Sequence, residues 1–273
     1  MNREQEMAEA VAIAGAAAQV VLEHFGRVAR LTKYNAEAVT EADRASQRLI
    51  ISELRRRFPG DGVVGEENDR GDAITFDCPD PGGRVWVIDP LDGTNNFVAG
   101  LGIFAVCIAL LEAGRPVVGV VRDVCSGRTY SAAAGLGAFR DGRPVKVADT
   151  PLRDGAMIMV TANVLDAQGR LPGFAVKWMS QTAWKVRVLG SAALETAHVA
   201  AGVAHAALTV NGKLWDAAAG AALVLEAGGR VIDLRGRDVF PFDLRGYTGQ
   251  KVPFLAAAPS ACDVLLEQIM ANP

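Results

Sequence analysis

The stretch Arg84-Val85-Trp86-Val87-Ile88-Asp89-Pro90-Leu91-Asp92-Gly93 constrains this chain more than any other. Its first half is β-branched and aromatic, the composition of a buried strand. Its second half sets two carboxylates three residues apart at the end of that strand. Pro90 fixes the backbone between them, and Gly93 permits a sharp turn and a close approach by a ligand. Gly93 and Thr94 can also open a helical turn whose free N–H groups would bind an anion. Carboxylates this close repel each other, so a proton or a cation has to compensate them. The nearby donors are all oxygens, which favours a hard divalent cation. The plainer alternative is that Asp89 and Asp92 are turn formers bonded to local backbone.

The segments around this strand read as layers of helix and sheet. Met7, Val11, Ala14, Ala18, Val21 and Phe25 recur at helical spacing, with Gly26 as a stop. Thr40 caps a second helix whose buried face is expected to be Ala45, Leu49, Ile50 and Leu54, and Phe58-Pro59-Gly60 ends it. Strand patterns follow at 84–88, 103–111, 116–124 and 129–133, with a hairpin turn at 112–115 and a glycine loop at 135–137. They predict an antiparallel meander beneath the two helices. The last 125 or so residues alternate strand and helix, with helices over 174–183, 191–201, 215–227 and 262–270. The expectation is a layered α/β (α+β) fold, with an N-terminal α+β half over 1–148 and a C-terminal α/β half over 149–273.

Composition removes several classes of function. Half of the 273 residues are apolar, which is ample for a core and excludes disorder. A net charge of −3 argues against binding nucleic acid. The apolar run 101–111 is too short to cross a bilayer, and Glu4, Glu6 and Glu9 ahead of the apolar stretch at 10–22 are wrong for a secretion signal. A soluble, cytoplasmic protein with reduced cysteines (Cys78, Cys107, Cys125 and Cys262, no CxxC pair) is expected. No GxxxxGK loop, complete GxGxxG or Cys-Arg phosphatase signature occurs, and His24, His198 and His205 lie outside the acidic motifs.

Three further acids are candidates to join Asp89 and Asp92. Glu66 and Glu67 follow Gly65 on a loop after a short strand, Asp43 stands at a helix start, and Asp216 at the N-terminal end of another helix. Singly, each reads as a solvated loop acid or a helix-terminal acid favoured by the dipole. Together, Asp89-Pro90-Leu91-Asp92-Gly93-Thr94, with Gly65-Glu66-Glu67 upstream and Trp215-Asp216 followed by Gly220 downstream, resemble the inositol monophosphatase family of metal-dependent, lithium-sensitive phosphatases. Order and spacing agree from the first helix to residues 226–233, and the family's layered fold matches the pattern above.

That resemblance implies a ligand set and a mechanism. Glu66, Asp89 and the Leu91 carbonyl would hold one Mg²⁺; Asp89, Asp92 and Asp216 would hold a second, and a third beside Glu66 is a feature of the family. The logic is two-metal hydrolysis. Thr94 and Asp43 would orient and deprotonate the water, with Glu66 among the catalytic residues and Glu67 behind it. The N–H groups of Gly93 and Thr94 would hold phosphate oxygens. Asp92, Asp216 and the loop Gly190-Ser191-Ala192 would meet the alcohol portion of the substrate. Inositol-specific members carry a glutamate seven residues before the last metal-binding Asp, where this chain has Thr209. A threonine cannot offer vicinal hydroxyls the same two-oxygen charged acceptor. After Asp-Gly-Thr the nucleotide-directed branch usually has lysine; Asn95-Asn96-Phe97 here resembles the inositol-type branch, although both asparagines also suit ordinary turns.

The expected function is therefore Mg²⁺-dependent hydrolysis of a small phosphorylated metabolite, inositol 1-phosphate or a similar polyol phosphate. Histidinol phosphate or a range of sugar phosphates is the alternative within the family. A protein-interaction module with a residual metal site is the alternative outside enzymes. The resemblance also implies a homodimer.

Overall fold

The computed structural model describes residues 1–27, 31–32, 38–68, 74–161, 164–165 and 168–272. Helix α1 (Arg3–His24) starts from a capping box in which Asn2 and Gln5 bond each other's backbone, and Gly26 takes a left-handed φ of 77° just past its end. Two short strands, β1 (Leu31–Thr32) and β2 (Ala38–Val39), pair between the N-terminal helices, where the sequence pattern had suggested mainly helix. Helix α2 (Glu41–Arg57) is capped by Thr40 as expected. Its buried face differs from the expected one. Ile50 and Leu54 are buried, but their companions are Ala42, Asp43, Ser46 and Gln47, while Ala45 and Leu49 stand at the edge. Polar residues are buried there because this side of α2 faces the acidic strand end.

Among the described residues the main sheet has eight strands: β3 (Gly62–Gly65), β4 (Thr75–Asp77), β5 (Arg84–Asp92), β6 (Ala105–Glu112), β7 (Arg115–Asp123), β8 (Thr129–Ala133), β9 (Gly137–Arg140) and β10 (Arg143–Val145). The order is β10-β9-β8-β7-β6-β5-β3-β4, so β5 to β10 form the expected antiparallel meander. Two features go beyond that reading. β3 runs parallel to β5, and the glycine loop at 135–137 leads directly into the β9–β10 hairpin.

The sheet is also covered on both faces, which the period of two along each strand makes visible. Trp86, Ile88, Val106, Ile108 and Leu110 join α1 and α2 in one core. Val85, Val87, Cys107, Ala109 and Leu111 join a second core with helices α5 (Ala192–Ala200) and α6 (Leu214–Glu226). At Gly119 in β7, α6 comes close to the sheet: a Cβ there would sit 2.6 Å from the Ala222 methyl.

Helices α5 and α6 are shared with a second, mixed sheet of order β12-β11-β13-β15-β14. Its strands are β11 (Met157–Val160), β12 (Lys185–Arg187), β13 (Ala206–Thr209), β14 (Arg230–Ile232) and β15 (Phe254–Ala257). Its other face carries α4 (Gly173–Ser180) and α7 (Pro259–Ala271), packed through Ile158, Leu208, Phe174, Trp178, Leu255 and Leu265. The molecule is thus layered as helices, sheet, helices, sheet, helices. No described helix is long and apolar enough to cross a membrane, and the four cysteines are free, Cys107 and Cys262 buried among them.

Candidate active site

The site gathers where β5 ends. Asp89 is the last regularly paired residue opposite Cys107, and the register slips before Asp92 pairs with Ala105. Pro90 removes a ladder donor in this bulge, and its carbonyl accepts the buried Ser46 hydroxyl of α2 at 2.9 Å. The Asp89 carboxylate accepts the Leu91 N–H at 2.9 Å, so the turn-forming role is real and coexists with any other. Gly93 then has φ 97°, and its Cβ position lies 3.0 Å from the Ile103 carbonyl and 3.3 Å from that of Gly190. Only glycine fits there. Helix α3 (Thr94–Ala99) begins at the next residue.

Asp216, in the first turn of α6, brings a third carboxylate. Oxygens of Asp89, Asp92 and Asp216 all lie within 4.8 Å of one another. Its Oδ2 accepts the Lys213 N–H at 2.5 Å, the capping geometry of an N3 acid. Glu66 stands beside them, because Gly65 of β3 pairs with Ile88 of β5. Its charge is felt by Asp43, Asp89, Asp92 and Asp216 alike. Glu67 points into the interior, 1% exposed, and its backbone is held on both sides by the Gln47 amide.

Asp92 is gripped by the start of α5. Its carboxylate accepts the Ala193 N–H at 2.9 Å, the Ala192 N–H at 3.3 Å and the Ser191 hydroxyl. An acid at a helix N-terminus is stabilised by the dipole, and here that helix belongs to the other half of the chain. Asn96 ties the same two parts together, its Nδ2 donating to the carbonyls of Ile103 and Leu189, each at 2.8 Å.

Asp43 is the N3 residue of α2. Its Oδ2 takes the Thr40 N–H (2.7 Å) and hydroxyl (2.6 Å), and its Oδ1 faces the Thr94 hydroxyl at 3.0 Å. That hydroxyl is also 3.1 Å from the Leu91 carbonyl. Of the expected site residues, Thr209 is the outlier. It closes β13 with its methyl under Gly212 and its hydroxyl buried without a hydrogen-bond partner among the described residues.

The electrostatics say what is missing from so many acids. Burial, then the charges of Glu66, Asp92 and Asp216, push Asp89 well above the usual carboxylate range. Burial raises Asp92 and Asp43 to about 6 and Asp216 to about 8, with the neighbouring acids adding to each. Burial is the main cause of each shift, and the neighbouring carboxylates add to it. An all-oxygen donor set and three carboxylates within one small span fit a hard divalent cation.

Comparison with known proteins decides the family. The sequence profile of the inositol monophosphatase family matches residues 2–269. The chain belongs to this family. It is 35% identical over 223 residues to the fructose-1,6-bisphosphatase/inositol-1-monophosphatase of Thermotoga maritima, covering 80% of this chain and 81% of the relative. It is 38% identical over 234 residues to a histidinol-phosphatase of Mycobacterium tuberculosis (83% and 86%) and 34% identical over 242 to Nus factor SuhB of Xylella fastidiosa (86% and 84%). The solved structure of an IMPase from Thermotoga maritima superposes with a TM-score of 0.83 at 30% identity, over 98% of this chain and 97% of that one. Inositol monophosphatase-family members are phosphatases, so the chain is a hydrolase of phosphate monoesters.

Beyond the family's acidic motifs, the site contains residues the sequence did not single out. Ser46 and Gln47 support the bulge and the Glu66-Glu67 turn from α2. The available signal was their spacing: Ala42, Asp43, Ser46, Gln47 and Ile50 share one helical face, and polar residues on a buried face need partners. Glu195, wholly buried behind the Ser191 loop, carried no such signal.

Proposed function

We propose that this chain hydrolyses a small phosphate monoester with water, using two Mg²⁺ ions held by Glu66, Asp89, the Leu91 carbonyl, Asp92 and Asp216. The observation that carries this reading is the convergence of three carboxylates within 4.8 Å beside a threonine–aspartate pair. Bound Mg²⁺ would neutralise the phosphate and lower the pKa of water. The chain's own part is positioning and proton transfer. With its hydrogen donated to Asp43, the Thr94 hydroxyl keeps a lone pair for the attacking water, and Asp43 Oδ1 receives the proton. The other oxygen of Asp43 is already occupied by Thr40, which fixes the direction of transfer. Gly93 and Thr94 N–H groups meet the phosphate oxygens, as a helix start does. Ser191, Ala192 and the far sides of Asp92 and Asp216 border the alcohol, while Thr209 lies buried at the end of β13.

For substrate we place inositol 1-phosphate or a similar polyol phosphate first. Thr209 supports breadth over strict inositol specificity, because no carboxylate stands there to pair with vicinal hydroxyls. Relatives named histidinol-phosphatase and fructose-1,6-bisphosphatase/inositol-1-monophosphatase keep those substrates as the second reading. We also place the chain as a cytoplasmic homodimer.

The test is phosphate release from inositol 1-phosphate, histidinol phosphate and fructose 1,6-bisphosphate, with Mg²⁺ and with EDTA. Release should need Mg²⁺, fall in tens of millimolar Li⁺, and drop to background in a folded Asp89→Asn variant. Turnover that survives in Asp89→Asn, or that ignores EDTA, sinks the metal-dependent mechanism.

A further inference from the structure

Glu195 is a buried carboxyl group near the site with no place in the mechanism above. It is 0% exposed, one turn into α5. Its Oε1 accepts the N–H groups of Leu189 (2.8 Å) and Gly190 (3.3 Å), folding the carboxyl back over the start of its own helix. Its Oε2 is buried and meets no hydrogen-bond partner among the described residues. A buried carboxyl with half its capacity unused is costly, and a folded core alone would be served better by an apolar side chain.

What Glu195 holds explains its presence. The backbone it grips, Leu189-Gly190, leads straight into Ser191, Ala192 and Ala193, which hold the Asp92 carboxylate. Gly190 has φ 75°, and a Cβ there would lie 3.0 Å from Asn96 Nδ2. The Leu189 carbonyl accepts that same amide. The loop is therefore pinched between Asn96 on one side and Glu195 on the other, and its shape sets where Asp92 points.

We propose that Glu195 is a positioning residue: through the Leu189-Gly190 backbone it fixes the Ser191 loop on Asp92, and so sets the affinity of the site for divalent metal and the seat of the leaving alcohol. The inference rests on the reading of Asp92 as a metal ligand. Its function is that of a neutral acceptor at a set reach. Burial, and to a lesser degree the Asp92 charge, raises the group to about 8, so near neutral pH it is mostly uncharged. A glutamine offers the same carbonyl-type acceptor at the same length; an aspartate keeps the acid and loses one methylene of reach.

The experiment compares Glu195→Gln, Glu195→Asp and Glu195→Ala by calorimetric titration of the metal-free chains with Mn²⁺, then by kcat, KM and half-saturating Mg²⁺ for phosphate release. Glu195→Gln should stay close to the unsubstituted chain. Glu195→Asp and Glu195→Ala should weaken Mn²⁺ binding by about 10- to 100-fold, the usual effect of removing a group that orients a metal ligand. KM should rise in both more than kcat falls. Asn96→Ala should weaken metal binding too, and combined with Glu195→Asp it should cost less than the two separately, since both act on one loop. If Glu195→Ala does not fold, the Asp and Gln variants decide alone. Loss in Glu195→Gln equal to that in Glu195→Asp, or Mn²⁺ binding unchanged in Glu195→Asp, overturns the proposal. A chain that binds Mn²⁺ yet releases no phosphate from any substrate overturns the phosphatase mechanism instead and leaves the titration to judge Glu195.

Discussion

Asp43 shows how one side chain serves the fold and the chemistry at once. An acid at N3 of a helix ordinarily reaches back to the N-cap, and Asp43 does this with Oδ2 alone. Oδ1 remains for Thr94, 3.0 Å away. Because burial raises the group to about 6, it sits near the value a general base needs at neutral pH. Thr94→Ala should therefore lower kcat by roughly 10²- to 10⁴-fold, the usual range for a positioned proton-transfer group, with little change in metal binding. Asp43→Asn should do much the same. The double variant should be no worse than the poorer single one, as expected of residues acting as a unit. Steady-state rates of the three proteins at saturating Mg²⁺ check this. Losses that multiply would mean the two groups act separately.

Among the elements, α6 does most to define the architecture, because it lies between both sheets and opens with Asp216. It packs tightly on the main sheet at Gly119, where the Ala222 methyl leaves no room for a side chain. Gly119→Val should force α6 outward and destabilise the fold by about 1–3 kcal/mol, the usual cost of overpacking. Denaturant midpoints measure that. A midpoint unchanged by the valine would mean that α6 has slack, and the placing of Asp216 would then need another support. The same helix marks how far sequence could be read. Local signals were legible: the Thr40 cap, the Gly26 stop, the β5-to-β8 run and the Asp89-Pro90-Leu91-Asp92 turn all depend on neighbours in the chain. The family's acidic motifs were legible for the same reason, being short and ordered. What stayed hidden is what tertiary packing decides. Hydrophobicity alone puts the wrong face of α2 inside, because it ranks Ala45 and Leu49 above Ser46 and Gln47, and the acidic site packed against the polar face reverses that order. Helices α5 and α6 covering the main sheet, and Glu195 bracing the loop against Asn96, join residues about a hundred apart in some cases, with no local pattern to announce them.

For the whole molecule, the gathered acids make stability depend on pH in a definite direction. Asp43, Asp89, Asp92, Asp216 and Glu195 all have folded-state values raised above those of the unfolded chain, to about 6 for Asp43 and Asp92 and about 8 for Asp216 and Glu195. Between the unfolded and folded values the native state holds more protons, so stability falls as pH rises. Their contribution is complete below about pH 4, where both states are protonated. It is lost progressively as the pH climbs towards 8. The metal-free protein should thus melt at lower temperature at pH 8 than at pH 5.5. Cation binding requires the same carboxylates ionised, so Mg²⁺ should act in the opposite sense, stabilising most where they are most fully ionised. At a hundredfold excess over its dissociation constant a ligand adds about 2.7 kcal/mol, which for a chain of this size is about 5 °C. Thermal melts after EDTA treatment, at pH 5.5 and pH 8 with and without Mg²⁺, measure both effects together. The Mg²⁺ increment should be near 5 °C at pH 8 and clearly smaller at pH 5.5, where protons compete for the site. An equal increment at both would mean that the carboxylates are ionised throughout that range, and that something other than bound metal offsets their repulsion.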